Sequence, residues 1–146
     1  MKIEGKHKFG ASQEKVWEVL TGPATLEKAI PGCDKLTEQE PGKYDLVLKI
    51  GISVVKGTYS GKAEVADPEP PRRYRLIMEG SGTPGFVKGE ADIELSEEGE
   101  KTLVTYHGEG QVGGLIAGVG QRLIGGVAKM LLGQFFKNME KGLKSQ

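Results

Sequence analysis

Hydrophobic and polar residues alternate along most of the chain as far as residue 112, and the period then changes to that of a helix. Alternation of this kind is typical of strands with one buried face. The pattern predicts a first strand at residues 2–9 and a meander of six more at residues 35–39, 44–52, 54–65, 72–80, 87–95 and 104–112. Tight turns such as Pro-Gly at 41–42 join these segments, so neighbouring strands should pair antiparallel.

Three helices are predicted. Ser12 is a favourable N-cap for a first short helix, and Pro23 suits the first turn of a second one, which ends near Ile30. Apolar residues recur at helical spacing through residues 114–143, which predicts one long C-terminal helix with the stripe Ile116, Val119, Leu123, Val127 and Phe135. Glycines crowd its first half and should weaken that half.

Two segments are predicted to be loops. Residues 67–71 read Asp-Pro-Glu-Pro-Pro, and proline has no amide hydrogen to donate to a sheet. Residues 80–85 read Gly-Ser-Gly-Thr-Pro-Gly, which predicts a flexible loop. Its glycine spacing opens no helix, so this segment does not predict a nucleotide site.

The order of elements predicts an α+β protein of the helix-grip type. In that arrangement a curved antiparallel sheet, here of about seven strands, holds a long C-terminal helix against its concave face, and two short helices follow the first strand. The length of 146 residues fits a single domain over residues 1–146.

Glycine is enriched where core side chains should lie. The chain has 23 glycines, about twice the usual ~7%, and Gly57, Gly61, Gly89 and Gly108 fall on the apolar faces of predicted strands. Such glycines either let a sheet bend sharply or leave a hollow beneath it. An empty hollow of ~300 Å3 at ~24 cal/mol per Å3 would cost at most roughly 7 kcal/mol, so we expect it to hold water or a ligand, or to be closed by a moving element.

Charge and cysteine content narrow the function. Twenty basic and twenty acidic residues cancel, which argues against nucleic acid as a partner. The single cysteine, Cys33, excludes an internal disulfide and fits a reducing compartment. Since no stretch approaches the ~20 apolar residues of a membrane-spanning helix, we expect a cytoplasmic protein, with peripheral membrane contact as a further expectation.

Few residues offer chemistry. His7, His107 and Cys33 lack the paired spacing of metal ligands, so no metal site is expected. Acidic side chains alternate outward with lysines, which indicates no buried catalytic pair. The polar side chains predicted to face the interior are tyrosines and His7. The tyrosines either pack in the core or contact a ligand. His7 is either a core residue with its hydrogen bonds made or a polar anchor for a ligand.

Four segments resemble one protein family. They are Val16-Trp17, residues 29–33 (Ala-Ile-Pro-Gly-Cys), residues 56–61 (Lys-Gly-x-Tyr-x-Gly) and residues 114–124, where Gly-Leu precedes Gln-Arg-Leu-Ile by five positions. Together they resemble the carbon monoxide dehydrogenase CoxG family, of the START/Bet v 1-like (SRPBCC) superfamily, over nearly the whole chain.

The resemblance implies a helix-grip fold with a deep hydrophobic cavity. It also implies a non-catalytic accessory role, in which the protein helps a molybdenum hydroxylase-type dehydrogenase to reach the membrane or its electron acceptor. Some members continue into a tail that reaches the membrane, whereas this sequence ends at Gln146, so we expect no autonomous membrane anchor.

The leading hypothesis is therefore a binding protein that carries a lipid or quinone-like molecule between sheet and helix, with no other cofactor. The gate to its cavity is predicted at Gly82, Gly85 and Gly118. The predicted lining residues are Trp17, Leu46, Leu48, Val55, Tyr59, Leu76, Met78, Val87, Tyr106, Ile116, Leu123 and Val127. Two alternatives stay open at this point: a cyclase- or hydrolase-like enzyme acting on an aromatic or polyketide-like substrate, and an adaptor that only docks on a dehydrogenase.

Overall fold

The computed structural model describes residues 1–52 and 55–144. Its helices are α1 (Gln13–Thr21), α2 (Pro23–Ala29) and α3 (Gln121–Lys144), and a short 3-10 turn occupies Gly114–Val119. Its strands are β1 (Lys2–Phe9), β2 (Cys33–Glu40), β3 (Lys43–Ile50), β4 (Gly57–Glu69), β5 (Arg73–Gly82), β6 (Gly85–Glu98) and β7 (Lys101–Gly113).

All seven strands form one antiparallel sheet in the order β1-β7-β6-β5-β4-β3-β2. Strands β2 to β7 pair with their neighbours in sequence, and β1 closes the far edge by pairing with β7. The helices α1 and α2 follow β1, and α3 packs on the same face of the sheet. This arrangement confirms the predicted helix-grip fold.

Local sequence explains how the short helices begin. The Ser12 hydroxyl accepts a hydrogen bond from the Lys15 amide at 3.3 Å, which satisfies one free donor of the first turn of α1. Pro23 opens α2, and the Thr25 hydroxyl donates to the Gly22 carbonyl at 3.0 Å. Both helices place their apolar residues against the sheet and α3, where Val16, Val19, Leu20 and Leu26 are buried.

The described residues form two hydrophobic clusters in the interior. The larger is tightly packed and joins α1, α2, the sheet and the second half of α3, with Phe9, Leu20, Tyr74, Phe136 and Met139 fully or almost fully buried. The smaller cluster centres on Val55, Ile116 and Ile124, at the start of α3. Many apolar residues between the two are only half-buried, although they face the interior.

The prediction that residues 67–71 lie outside the sheet was wrong for the first three of them. β4 continues to Glu69, which pairs with Arg73, because the register shifts between Ala66 and Glu69. This irregularity accommodates Asp67, with φ at 49°, and Pro68. A bulge leaves residues unpaired, so Pro68 needs no amide hydrogen there.

Residues 80–85 do not form a flexible loop either. β5 extends to Gly82, and Gly82 pairs with Gly85, so only Thr83 and Pro84 form the turn. The Pro84 carbonyl accepts a hydrogen bond from the Ile116 amide at 2.9 Å, which ties this turn to the 3-10 turn.

The long C-terminal helix is interrupted. Gly120 has φ at 94°, a conformation outside the α-helix that glycine adopts readily, so the helical path restarts at Gln121. The restart changes which side chains face inward: Ile124 is 5% exposed and Leu123 is 54% exposed. The predicted start of the fourth strand, at residue 54, lies outside the described residues.

Candidate functional site

A cavity of about 280 Å3 lies between α3 and the concave face of the sheet. This volume is close to the lower end of the range for ligand pockets, ~300 Å3. Six strands, the 3-10 turn and α3 contribute to its wall, which consists of Met1, Ile3, Leu48, Ile50, Val55, Tyr59, Leu76, Met78, residues 87–91, residues 110–112, Ile116, Ile124, Val127, Ala128, Leu131 and Leu132.

Gly89 leaves the sheet bare beneath the cavity, whereas the space beside the facing Gly110 is occupied by the side chains of Ile3 and Met1. Gly89 on β6 pairs with Gly110 on β7, and both line the cavity. A Cβ added at Gly89 would meet its nearest neighbour, the Glu109 carbonyl oxygen, at 3.6 Å, which is an ordinary contact distance. Gly89 therefore leaves free a space that a side chain could occupy, whereas the side chains of Met78, Val87 and Ala91 occupy the space at their own positions.

The described cavity wall is almost entirely hydrocarbon. The Tyr59 hydroxyl, its one phenol, donates a hydrogen bond to the Val55 carbonyl at 2.6 Å, and burial raises the Tyr59 pKa above its usual value. Lys88 and Glu90 belong to the exposed alternation of β6. The cavity can therefore bind apolar groups but offers little to orient or protonate a substrate.

Most of the predicted lining residues come together at this cavity. Those that line it are Leu48, Val55, Tyr59, Leu76, Met78, Val87, Ile116 and Val127. On the strands, alternation places these side chains on the concave face, which is why the sequence pattern could locate them.

Four predicted lining residues lie elsewhere, and their prediction was wrong. Trp17 packs edge-on against Tyr74 with 5.4 Å between ring centroids, and Tyr106 stacks on Phe136 at 4.9 Å. Leu46 is 3% exposed within the larger cluster. These three side chains face inward as predicted, but at the packed end of the sheet. Leu123 points outward because α3 restarts after Gly120.

Sequence reasoning missed several lining residues. Ile3 and Val112 lie on the apolar faces of the predicted strands at residues 2–9 and 104–112, so alternation could have found them. On α3, Ile124, Ala128, Leu131 and Leu132 share a face with the predicted Val127 at helical spacing, but a stripe continued from Ile116 through residue 120 favours Leu123 over Ile124. Nothing in the sequence marks Gly120 as the break among so many glycines.

Three of the four predicted cavity-making glycines have a different role. A Cβ at Gly61 would collide with the Glu79 carbonyl, and one at Gly108 would collide with the Glu90 carbonyl. At Gly57 it would meet the Pro84 ring at 2.5 Å. These glycines permit close approach of neighbouring strands or of a turn, and Gly89 alone among the four lines the cavity.

His7 is not brought to the cavity wall. Its ring lies between Phe9 and Phe136, at centroid distances of 4.8 and 5.7 Å, and its Nε2 contacts the Glu140 carboxylate. The residue links β1 to the last turns of α3. Its predicted role as a ligand anchor does not fit this placement.

Of the three predicted gate residues, Gly82 and Gly85 lie at one turn and Gly118 lies in another segment. Gly82 and Gly85 flank the turn at Thr83, and the missing side chain of Gly85 lets it approach the Gly113 carbonyl. Gly118, in the 3-10 turn, is exposed with no atom within 4 Å of a built Cβ. Movement of these segments stays a prediction.

The other titratable groups of the described residues do not form a metal site. Within residues 1–52 and 55–144, no three His, Cys, Asp or Glu side chains are grouped closely enough to hold an ion. His107 is largely exposed and lies 3.6 Å from Asp92. Burial, followed by the nearby Glu27 carboxylate, raises the pKa of Cys33, so its thiol is less readily ionised than a free one.

An open groove of about 890 Å3 lies on the other face of the sheet, across β2 to β6. It is wider than the cavity, but its side chains are mainly exposed polar ones of both charges, including Lys35, Asp45, Lys62 and Glu79. The apolar cavity under α3 is the better candidate site, because burial of apolar surface is what drives the binding of small ligands.

Across the described segments, none of the helices is at once long enough and apolar enough to pass through a membrane. α3 is the longest, and lysines interrupt its apolar positions.

The curved sheet, the long helix and the apolar space between them define a helix-grip domain of the START-like class. A START superfamily protein from Mycobacterium smegmatis is similar in fold, with a TM-score of 0.76 at 13% identity over 99% of this chain and 97% of that one. A protein from Thermus thermophilus has a TM-score of 0.75 at 16% identity, covering 99% and 98% of the two chains.

The model of the carbon monoxide dehydrogenase CoxG family matches residues 5–144, and the chain belongs to that family. A conserved protein from Geobacillus kaustophilus is 40% identical, with a TM-score of 0.96 over 99% of this chain and 96% of its own. Among curated proteins no relative was found.

Proposed function

We propose that this protein is a non-catalytic carrier that binds a hydrophobic small molecule, such as a lipid or a quinone-like compound, between α3 and the sheet. The observation that carries the proposal is the apolar cavity of about 280 Å3. Leaving such a space empty costs at most roughly 7 kcal/mol at ~24 cal/mol per Å3, so an apolar ligand would stabilise the fold.

The chemistry of the wall favours a carrier over an enzyme. General acid–base or nucleophilic catalysis needs polar groups that converge on one point. Here the Tyr59 hydroxyl is already bonded to the Val55 carbonyl, and His7 is paired with Glu140 away from the wall. A cyclase- or hydrolase-like activity on an aromatic substrate would have to use these two groups. A turnover that Tyr59→Phe and His7→Ala leave unchanged would exclude catalysis by these two groups.

The first experiment is mass spectrometry of the purified protein, native and after organic extraction. We expect a hydrophobic species in stoichiometric amount. Ala128→Leu, which adds three carbons inside the cavity, should reduce its occupancy. Gly133→Leu is the matched control, because Gly133 lies on the exposed face of α3 with no atom within 4 Å of a built Cβ. Equal occupancy in both variants would contradict binding at this cavity.

Family membership supports a second part of the proposal: the protein serves a carbon monoxide dehydrogenase or related molybdenum hydroxylase, in the cytoplasm and with transient contact to the membrane. The test uses a tagged protein expressed in its native host. We expect carbon monoxide-dependent dye reduction in the eluted fraction, and more of the protein in the membrane fraction when the dehydrogenase is present. An eluate without that activity would contradict the partnership and leave the carrier role standing.

A further inference from the structure

The size of the cavity limits how much of a ligand it can enclose. A methylene group occupies about as much volume as a water molecule in the liquid, ~30 Å3. A space of about 280 Å3 therefore takes about ten carbons. This is much less than a whole membrane lipid, so a lipid-like ligand cannot be enclosed entirely.

The chemistry of the wall decides which part of the ligand enters. Among the described residues, Lys88, Glu90 and Gln111 border the cavity but are exposed, and the other lining side chains are apolar except for the Tyr59 hydroxyl, which is bonded to the Val55 carbonyl. A polar or charged head group inside would lose its hydration without gaining a partner, which is costly. A hydrocarbon segment has no hydrogen bonds to water to give up on entry, and its surface is better buried than exposed.

We infer that the cavity binds one hydrocarbon tail to a depth of about ten carbons and leaves the polar head of the ligand outside. This inference rests on the proposed carrier function and adds a class of ligand to it: single-tailed amphiphiles, recognised by the length of their apolar segment and not by their head group.

The test is a homologous series of straight-chain 1-alkanols from six to sixteen carbons, titrated calorimetrically below the concentrations at which they aggregate. Each methylene that enters the cavity should tighten binding roughly four-fold, the equivalent of ~0.8 kcal/mol. We expect the gain to stop at about ten carbons. Alkanoates of the same lengths should show the same limit, because their head also stays outside.

Two variants with opposite effects make the test specific. Ala128→Leu adds three carbons to the wall, so the chain length at which binding stops tightening should fall by about three carbons. Leu131→Ala removes three carbons from the wall, so this limiting chain length should rise by about the same amount. Gly133→Leu on the exposed face should leave the limit unchanged. A misfolded variant cannot imitate a longer limit, and circular dichroism checks the fold of each variant.

The outcomes separate the two proposals. Binding that keeps tightening to sixteen carbons, or a limit that differs between alkanols and alkanoates, would overturn the tail-depth inference and leave the carrier role intact. Absence of binding at every length, or binding that none of the cavity variants changes, would overturn the carrier role itself.

Discussion

A glycine in this sheet has one of two roles, and the neighbouring atoms decide which. At Gly61 the backbone of β5 is so close that a Cβ would collide with the Glu79 carbonyl, whereas at Gly89 a Cβ would have ordinary contacts and project into the cavity. The absence of a side chain at Gly61 allows β4 to pair with β5. The absence of one at Gly89 leaves a space that a side chain could occupy.

We predict that Gly61→Ala lowers the free energy of unfolding by about 1–3 kcal/mol, because the backbone must move to admit the methyl group. Gly89→Ala should change it by less than about 1 kcal/mol, in the stabilising direction, since the substitution restricts the unfolded chain at a position that an L-residue can adopt. Urea denaturation of both variants measures the difference. Similar stabilities would contradict the two roles.

A second feature at this scale is the Tyr74 hydroxyl, which is fully buried without a hydrogen-bond partner in the described structure. Burial raises the pKa of this phenol above its ordinary value of 10.0. Tyr74→Phe removes the unpaired group and keeps the ring that packs on Trp17. We therefore expect the variant to equal or exceed the wild type in stability at pH 7, by up to about 1 kcal/mol.

Because of Tyr74, the stability of the protein should depend on pH in the alkaline range. Below pH 10 both the folded and the unfolded states keep the Tyr74 proton, so this group does not change the free energy of unfolding with pH. Above pH 10 the unfolded state loses it while the folded state retains it, and stability falls as the pH rises. Between pH 9.5 and 11 the wild type should lose stability more steeply than Tyr74→Phe, with a difference in slope approaching ~1.4 kcal/mol per pH unit. Parallel curves would show that Tyr74 can ionise in the folded protein.

At the scale of elements, α3 has two dissimilar halves. The second half is held by Phe135, Phe136 and Met139 in the packed cluster, and by the contact of Glu140 with His7. The first half contributes Ile124 as its buried residue and lies over the cavity. Its glycines Gly125 and Gly126 are adjacent, whereas Gly133 and Gly142 further along α3 are far apart, and glycine is a poor helix former. The half that covers the cavity is thus the half with less to hold it.

Hydrogen exchange should reveal this asymmetry. We predict that amides of residues 124–133 exchange faster than those of residues 134–143, because local opening of the first half exposes less apolar surface. Gly126→Ala is suited to test the cause, since Gly126 is exposed and a Cβ there meets nothing within 4 Å. This substitution should slow exchange in the first half and stabilise the protein by up to about 1 kcal/mol. Uniform exchange along α3 would contradict the difference.

At the scale of the whole molecule, one sheet and one helix span both hydrophobic clusters. The packed cluster supplies rigidity, and the smaller cluster around Val55, Ile116 and Ile124 surrounds the cavity. The sheet forms one layer and α3 spans it from one cluster to the other. We therefore expect that neither cluster stays folded without the other. That the chain is a single domain is still a prediction at this point.

We predict one cooperative unfolding transition. The single tryptophan, Trp17, reports on the packed cluster by fluorescence, and far-ultraviolet circular dichroism reports on the sheet and helices as a whole. The two signals should give the same midpoint in urea and the same thermal midpoint. Midpoints that differ beyond error would indicate that the cavity region unfolds separately.

The strands and short helices were predictable because their signals are local. Alternation in β5 and β6 assigns each side chain to a face, and Ser12 and Pro23 mark helix starts through their own hydrogen bonding and backbone geometry. The same local rules placed Leu76, Met78 and Val87 on the concave face, and the motifs along the chain pointed to the family.

What the sequence by itself determined was therefore the order of elements, the face of most side chains and the helix-grip class. Tertiary structure decided where the interior is packed and where it is hollow. The side chains of Trp17, Leu46 and Tyr106 point inward like those that line the cavity, but they contact aromatic or aliphatic side chains at the packed end of the sheet. Tertiary structure also decided the phase of α3, because only the left-handed backbone at Gly120 turns Leu123 outward and Ile124 inward. A side chain's face follows from local geometry, but the space it meets depends on residues distant in sequence.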